Sequence, residues 1–202
     1  MANLLKVDLF AEDRAHEAFL DALIRRLFSE LGMKTVIRHR SPLGGHGKML
    51  TELEVFQKII GGGQLGIDAP DILVVARDAN CQRFTQARQA VYGLIDQRVF
   101  PAFAIACPDP HIERWFLADP VSFHQVIGAQ SRPGQRKCKR DLYKRKLVEA
   151  IRKGGHPPTL GGIEFAAELV GAMDLYRGGR NEPSLQHFID DFHQAAILVR
   201  RE

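Results

Sequence analysis

Asp78 and Asn80 stand just beyond an apolar run, Ile72-Leu73-Val74-Val75-Ala76, and two other apolar runs end in the same way. The run at 4–10 leads into Glu12 and Asp13, and the run at 100–107 leads into Asp109, His111 and Glu113. A short apolar run bounded by polar residues reads as a buried strand, so each run delivers its acidic or amide oxygens to the rim of a sheet. Oxygen donors gathered in this way suit a hard divalent cation, Mg²⁺ or Mn²⁺, better than Zn²⁺, which is better served by imidazole and thiolate. An acid between a strand and a helix has a second use, because its carboxylate caps free backbone N–H groups. Spacing alone leaves both uses open.

The elements that must position these groups alternate. Strands are expected at 4–10, 34–39, 71–77 and 100–107, and helices at 14–31, 49–60, 82–97 and 111–118. The helix at 14–31 carries Ala18, Leu20, Leu23, Ile24, Leu27 and Leu31 at helical spacing before Gly32 closes it. Alternation of this kind implies an α/β fold with a mostly parallel sheet flanked by helices, and in such sheets sites form beyond the carboxyl ends of the strands. After Asp119 only helical patterns remain, at 121–127, 141–152, 163–172 and 184–199. The expected organisation is an α/β domain over 1–119 with a helical C-terminal extension, 120–202, packed on it.

The 202 residues, 45% hydrophobic and 26% charged, have the make-up of an ordinary globular protein. No apolar run approaches the roughly 18 residues of a membrane helix, and no leader pattern opens the chain, so a cytoplasmic protein away from membranes is expected. Cys81, Cys107 and Cys138 are odd in number and widely spaced, which makes reduced thiols the expectation, with Cys107 packed at a strand end.

The net charge of +4 is unevenly spread, since Arg132, Arg136, Lys137, Lys139, Arg140, Lys144, Arg145, Lys146, Arg152 and Lys153 crowd one segment. Such density fits a polyanion partner and equally fits a solvated helix face. Its one aromatic residue, Tyr143, gives little for bases to stack on.

Several chemistries are excluded. Gly44-Gly45-His46-Gly47-Lys48 lacks the first glycine and the hydroxyl residue of a nucleotide loop, leaving Lys48 and Arg40 as phosphate contacts at most. No serine sits in a Gly-x-Ser-x-Gly turn, and no histidine pair has zinc-ligand spacing on one helix.

A glutamate opening a helix after the first strand, followed by a later strand ending in Asp78-Ala79-Asn80, resembles the TOPRIM fold of topoisomerases, primases and overcoming-lysogenization-defect nucleases. Pro108-Asp109-Pro110-His111-Ile112-Glu113-Arg114-Trp115, together with Glu182-Pro183-Ser184-Leu185, is similar to a group of small stand-alone TOPRIM-like bacterial proteins, often encoded beside ATPases in anti-phage loci. The resemblance implies a Mg²⁺- or Mn²⁺-dependent nuclease cutting DNA or RNA. Glu12 and Asp78 would be catalytic residues and metal ligands, Asn80 and Glu113 supporting ligands, and Arg77, Lys48, Arg136, Lys137, Lys139 and Arg140 nucleic-acid contacts. Asn80 departs from the family's second aspartate, since an amide ligates a cation but brings no charge. The alternative is therefore a non-catalytic subunit that binds an ATPase or nucleic acid.

Overall fold

The computed structural model describes residues 4–40, 46–63 and 68–200. Four parallel strands, β1 (Leu4–Ala11), β2 (Lys34–His39), β3 (Ile72–Ala76) and β4 (Phe103–Ala106), form one sheet in the order β2-β1-β3-β4. The chain leaves β1 for β2 on one side and later places β3 on the other. The strand order therefore reverses between β1 and β3, and a crevice opens there beyond the strand ends. Glu12 and Asp78 follow these two strands.

Both faces of the sheet are covered, and period-two alternation divides its side chains. Val7, Leu9, Ala11, Ile72, Val74 and Ala76 join a core with Phe19, Leu23 and Phe28 of α1 (Arg14–Glu30). Phe10, Leu73, Val75 and Ile105 face Met49, Leu53 and Phe56 of α2 (His46–Gly61) and Ala87 and Val91 of α3 (Phe84–Tyr92). The α/β class and the parallel sheet are as the alternation implies.

The strands start and stop within a few residues of expectation, but α3 is shorter than the pattern at 82–97, stopping at Gly93. The short α4 (Glu113–Phe116) is followed by α5 (Pro120–Ile127), with Pro120 in the first turn and Asp119 as N-cap. Helix α6 (Leu142–Lys153) follows a coil, then come a 3₁₀ turn (Ile163–Phe165) and α7 (Ala166–Ala172). Helix α8 (Leu175–Asn181), which contains Gly178 and Gly179 and left little helical signal, precedes the long α9 (Pro183–Arg200).

The C-terminal helices share the first core: Leu147, Leu169, Phe188 and Phe192 belong to the same apolar cluster as α1 and the sheet. Helix α9 packs along β4, where Asp191 accepts from the Ile105 amide at 3.5 Å and pairs with Arg88 of α3 at 2.8 Å. A helix over the β4 edge hides amides that would otherwise invite another strand.

The two stretches that carry the family resemblance meet in space. Arg114 grips Glu182 with two guanidinium nitrogens and donates through Nη1 to the Gly134 carbonyl at 3.1 Å and the Tyr143 hydroxyl at 2.9 Å. Trp115 Nε1 donates to Ser184 Oγ at 2.9 Å. Arg114 thereby fixes the coil before α6 against the rim of the sheet. Trp115, Phe116 and Leu117 are core residues, none more than 1% exposed.

Among the described residues no helix is long and apolar enough to cross a membrane.

Candidate metal centre

Glu12 leaves β1 on a register that pairs its amide with the Ala76 carbonyl at 3.1 Å, and its Oε2 accepts from the Asp78 amide at 3.0 Å. The two acids picked out from strand ends are thus brought together across the switch between β1 and β3. Neither caps a helix. That task falls to Asp13, whose Oδ1 accepts from the amides of Ala15 and His16 at 2.9 and 3.0 Å.

The third member of the group is His16, two residues into α1 and fully buried. Its Nδ1 lies 2.8 Å from Asp13 Oδ1 and its Nε2 3.0 Å from Asp78 Oδ1. The second approach lacks the alignment of a hydrogen bond, and among the described residues neither atom has another hydrogen-bond partner. One donor atom each from Glu12, His16 and Asp78 lies within 4.8 Å of the other two, the separation from which a single ion can be held.

Charge sets the protonation of the group. Burial alone would push the His16 ring down, but Asp78 and Asp13 outweigh it and hold the imidazole well above its usual value. Burial pushes Asp78 up, yet His16 and His111 reverse the effect and keep its carboxyl low. Asp13 likewise falls to about 2 against its own desolvation because the His16 ring and backbone amides favour the anion. Burial raises Glu113, and the negative charge of Asp78 adds to it. The protein therefore gathers carboxylates around a positive charge at this point, supplied by the imidazolium.

A cavity of about 290 Å³ opens at Asp78, lined by Asp13, Asp78, Asn80, Cys81, His111, Glu113, Cys138, Arg140, Asp141 and Lys144, with Glu12 and His16 outside its lining. His111 also lines the cavity, and its Nδ1 is 3.0 Å from Asp78 Oδ2, which raises its pKa above the ordinary value. Asn80 holds a left-handed backbone, φ 54°, and its amide donates to the Asp78 carbonyl at 3.4 Å. Glu113 lines the cavity at the start of α4 without joining the three-residue group.

The basic residues divide. Arg140 and Lys144 are exposed on the cavity wall, so part of the basic segment faces the acids. Lys137 and Lys139 are exposed in the same coil. Arg136 is engaged in structure, pairing with Asp109 at 2.6 Å and donating to the Asn80 and Gln82 carbonyls. Arg77 and Lys48 do not line the cavity: Arg77 is half-buried, acting on the Cys107 thiol, and Lys48 is exposed in the first turn of α2. Residues 41–45 of the glycine loop lie outside the described residues. Tyr143 is fully buried, its ring faced by Arg114 and Lys146, so it offers no platform for bases.

The cysteines correct one expectation. Cys81 and Cys138, 57 residues apart, form a disulfide with Cα atoms 5.3 Å apart, because the turn after β3 and the coil before α6 meet at the cavity wall. Cys107 is the free thiol, buried and pushed up to about 12 mainly by that burial. His16 escaped the strand-end pattern because it lies inside a helix. Its one sequence signal is the four-residue step from Glu12.

Comparison of the chain with protein-family models, curated proteins and solved structures finds no match, and the residues of the cavity are what speaks for its chemistry.

Proposed function

We propose that the protein is a metal-dependent phosphodiester hydrolase of TOPRIM-like descent, acting on nucleic acid. The observation that carries this reading is the convergence of Glu12, His16 and Asp78 at the strand switch, under a wall bearing Arg140 and Lys144. Two carboxylates and one imidazole fit a divalent ion of intermediate character, which favours Mn²⁺ over Mg²⁺. Such an ion would take the place of the imidazolium proton. Bound there, it would supply stabilisation of charge on the phosphate and a more acidic water.

The chain's own residues divide the remaining work. Arg140 and Lys144 attract a backbone that the acids alone would repel. His111, oriented through Nδ1 by Asp78, keeps Nε2 as its second polar atom for proton transfer in the cavity. Glu12 holds the Asp78 amide, and with it the turn that presents the Asp78 carboxylate. With Tyr143 buried, phosphate rather than base is the expected point of contact, which predicts little sequence preference.

Asn80 supports a second reading, a binding subunit that has lost the chemistry and works with an ATPase. Its amide is turned to the Asp78 carbonyl and adds no charge to the group. Incubating the purified protein with mixed DNA and RNA in Mn²⁺ or Mg²⁺, beside Glu12→Gln, His16→Gln and Asp78→Asn, separates the two. Cleavage by the wild type alone is the expected result. Absence of cleavage together with absence of Mn²⁺ binding would overturn the enzyme reading in favour of the subunit.

A further inference from the structure

We propose that the Cys81–Cys138 disulfide is a redox latch that fixes the basic wall over the acidic cavity, so that the redox state of this pair sets how well the cavity receives a polyanion. The cysteines meet at the cavity wall, one just after Asn80 and the other in the coil before α6. Both are exposed and open to a reductant, whereas Cys107 is not.

What else holds the coil is unevenly distributed. Its first half is anchored at Pro133, Gly134, Gln135 and Arg136 by Lys146, Arg114, Tyr143 and Asp109, and Arg136 also donates to the Asn80 and Gln82 carbonyls on either side of Cys81. Beyond the Lys137 amide, which donates to Tyr143 at 2.8 Å, the disulfide is, among the described residues, the tie to the β3 side of the cavity that adds to those of Arg136. Among the described residues, 138–141 otherwise show local contacts: the Lys139 amide to the Lys137 carbonyl, the Leu142 and Arg145 amides of α6 to the Lys139 and Asp141 carbonyls, and a loose Arg140–Asp141 pair at 3.6 Å. This stretch carries Arg140 and Asp141, which line the cavity, and Asp141 enters α6 through a left-handed backbone, φ 56°.

The chemistry is thiol–disulfide exchange. A small dithiol attacks one sulfur of the pair, the S–S bond breaks, and a second attack within the mixed disulfide releases the protein. Cys81 and Cys138 gain two electrons and two protons while the dithiol becomes its own disulfide. The reverse exchange resets the latch. The oxidised wall is preorganised for phosphate, and the reduced one must first be ordered.

The functional consequence rests on the reading of the cavity as a nucleic-acid site, but the latch is testable apart from it. Peptide mapping of oxidised protein should find residues 81 and 138 linked. Dithiothreitol should then open both to alkylation while Cys107 stays protected. Reduction and, separately, Cys138→Ser should speed amide exchange at 138–141 and weaken binding of a fluorescein-labelled oligonucleotide about tenfold. If exchange rises and neither form binds the oligonucleotide, the latch stands and the nucleic-acid reading falls. Failure to find the linked peptide after oxidation with diamide would overturn the latch. So would unchanged exchange and binding once the link is broken.

Discussion

Arg114 with Glu182, and Glu12 with His16 and Asp78, are both groups of buried or half-buried charge, yet they are completed to different degrees. Each guanidinium nitrogen of Arg114 meets an aligned acceptor. In the second group His16 Nε2 and Asp78 Oδ1 form an ion pair at 3.0 Å that is less well aligned. Removing either partner of the first strands a buried charge, although burial still leaves the Glu182 carboxyl raised to about 7, whereas the second keeps three donor atoms close enough to share one cation. The first reads as scaffold, the second as site.

The comparison breaks if the two groups respond alike to substitution. Arg114→Ala should cost about 3 to 5 kcal/mol of stability, because it leaves Glu182 buried and unpaired. Thermal or urea unfolding measures this, and a loss under about 1 kcal/mol would remove the scaffold role. Asp78→Asn should also cost stability, because it removes the anion that holds the buried His16 imidazolium, but unlike Arg114→Ala it should lower Mn²⁺ affinity by about a hundredfold, read by calorimetry.

Asp119 sharpens the scaffold side. It is 2% exposed, and though burial pushes its carboxyl up, Arg177, Ser122 and the Asp174 amide outweigh that and hold it low. A depressed folded value means stability present above the unfolded carboxylate range, near pH 4, and lost as pH falls toward the folded one. Wild type should therefore lose about 1 to 2 kcal/mol more than Asp119→Asn between pH 6 and pH 2. Equal slopes in acid unfolding would place that stability elsewhere.

Asn80→Asp sharpens the site side. A second carboxylate beside Asp78 should tighten Mn²⁺ about tenfold. If cleavage appears only in this variant, the natural chain is the binding subunit. The smallest effect expected is that of Lys144→Ala, which should reduce the salt dependence of oligonucleotide binding by about one counterion and leave Mn²⁺ affinity unchanged.

How much of this was legible in the chain depends on how local each signal is. The runs ending at Glu12 and Asp78 announce strand ends, because burial on both faces demands unbroken apolar sequence, and the two acids duly meet. Helix α1 and β2 could be placed almost to the residue from apolar spacing and Gly32. Helix α8 could not, since its two glycines erase the helical signal and close packing against Met173 and Gln186 admits them. His16 looks like any polar residue in the first turn of a helix. Its burial against Asp78 comes from the order β2-β1-β3, which sets α1 beside the turn after β3.

By itself the sequence determined the element types apart from α8, the parallel α/β class and the two acids at strand ends. These follow from period, length and composition within a dozen residues. Only the tertiary structure decided that His16 completes their group, that Cys81 reaches Cys138, that Arg136 is engaged while Arg140 and Lys144 face the cavity, and that Tyr143 is hidden. Each of these is a distance between residues far apart in the chain, set by how helices pack across a twisted sheet, and no local pattern encodes it.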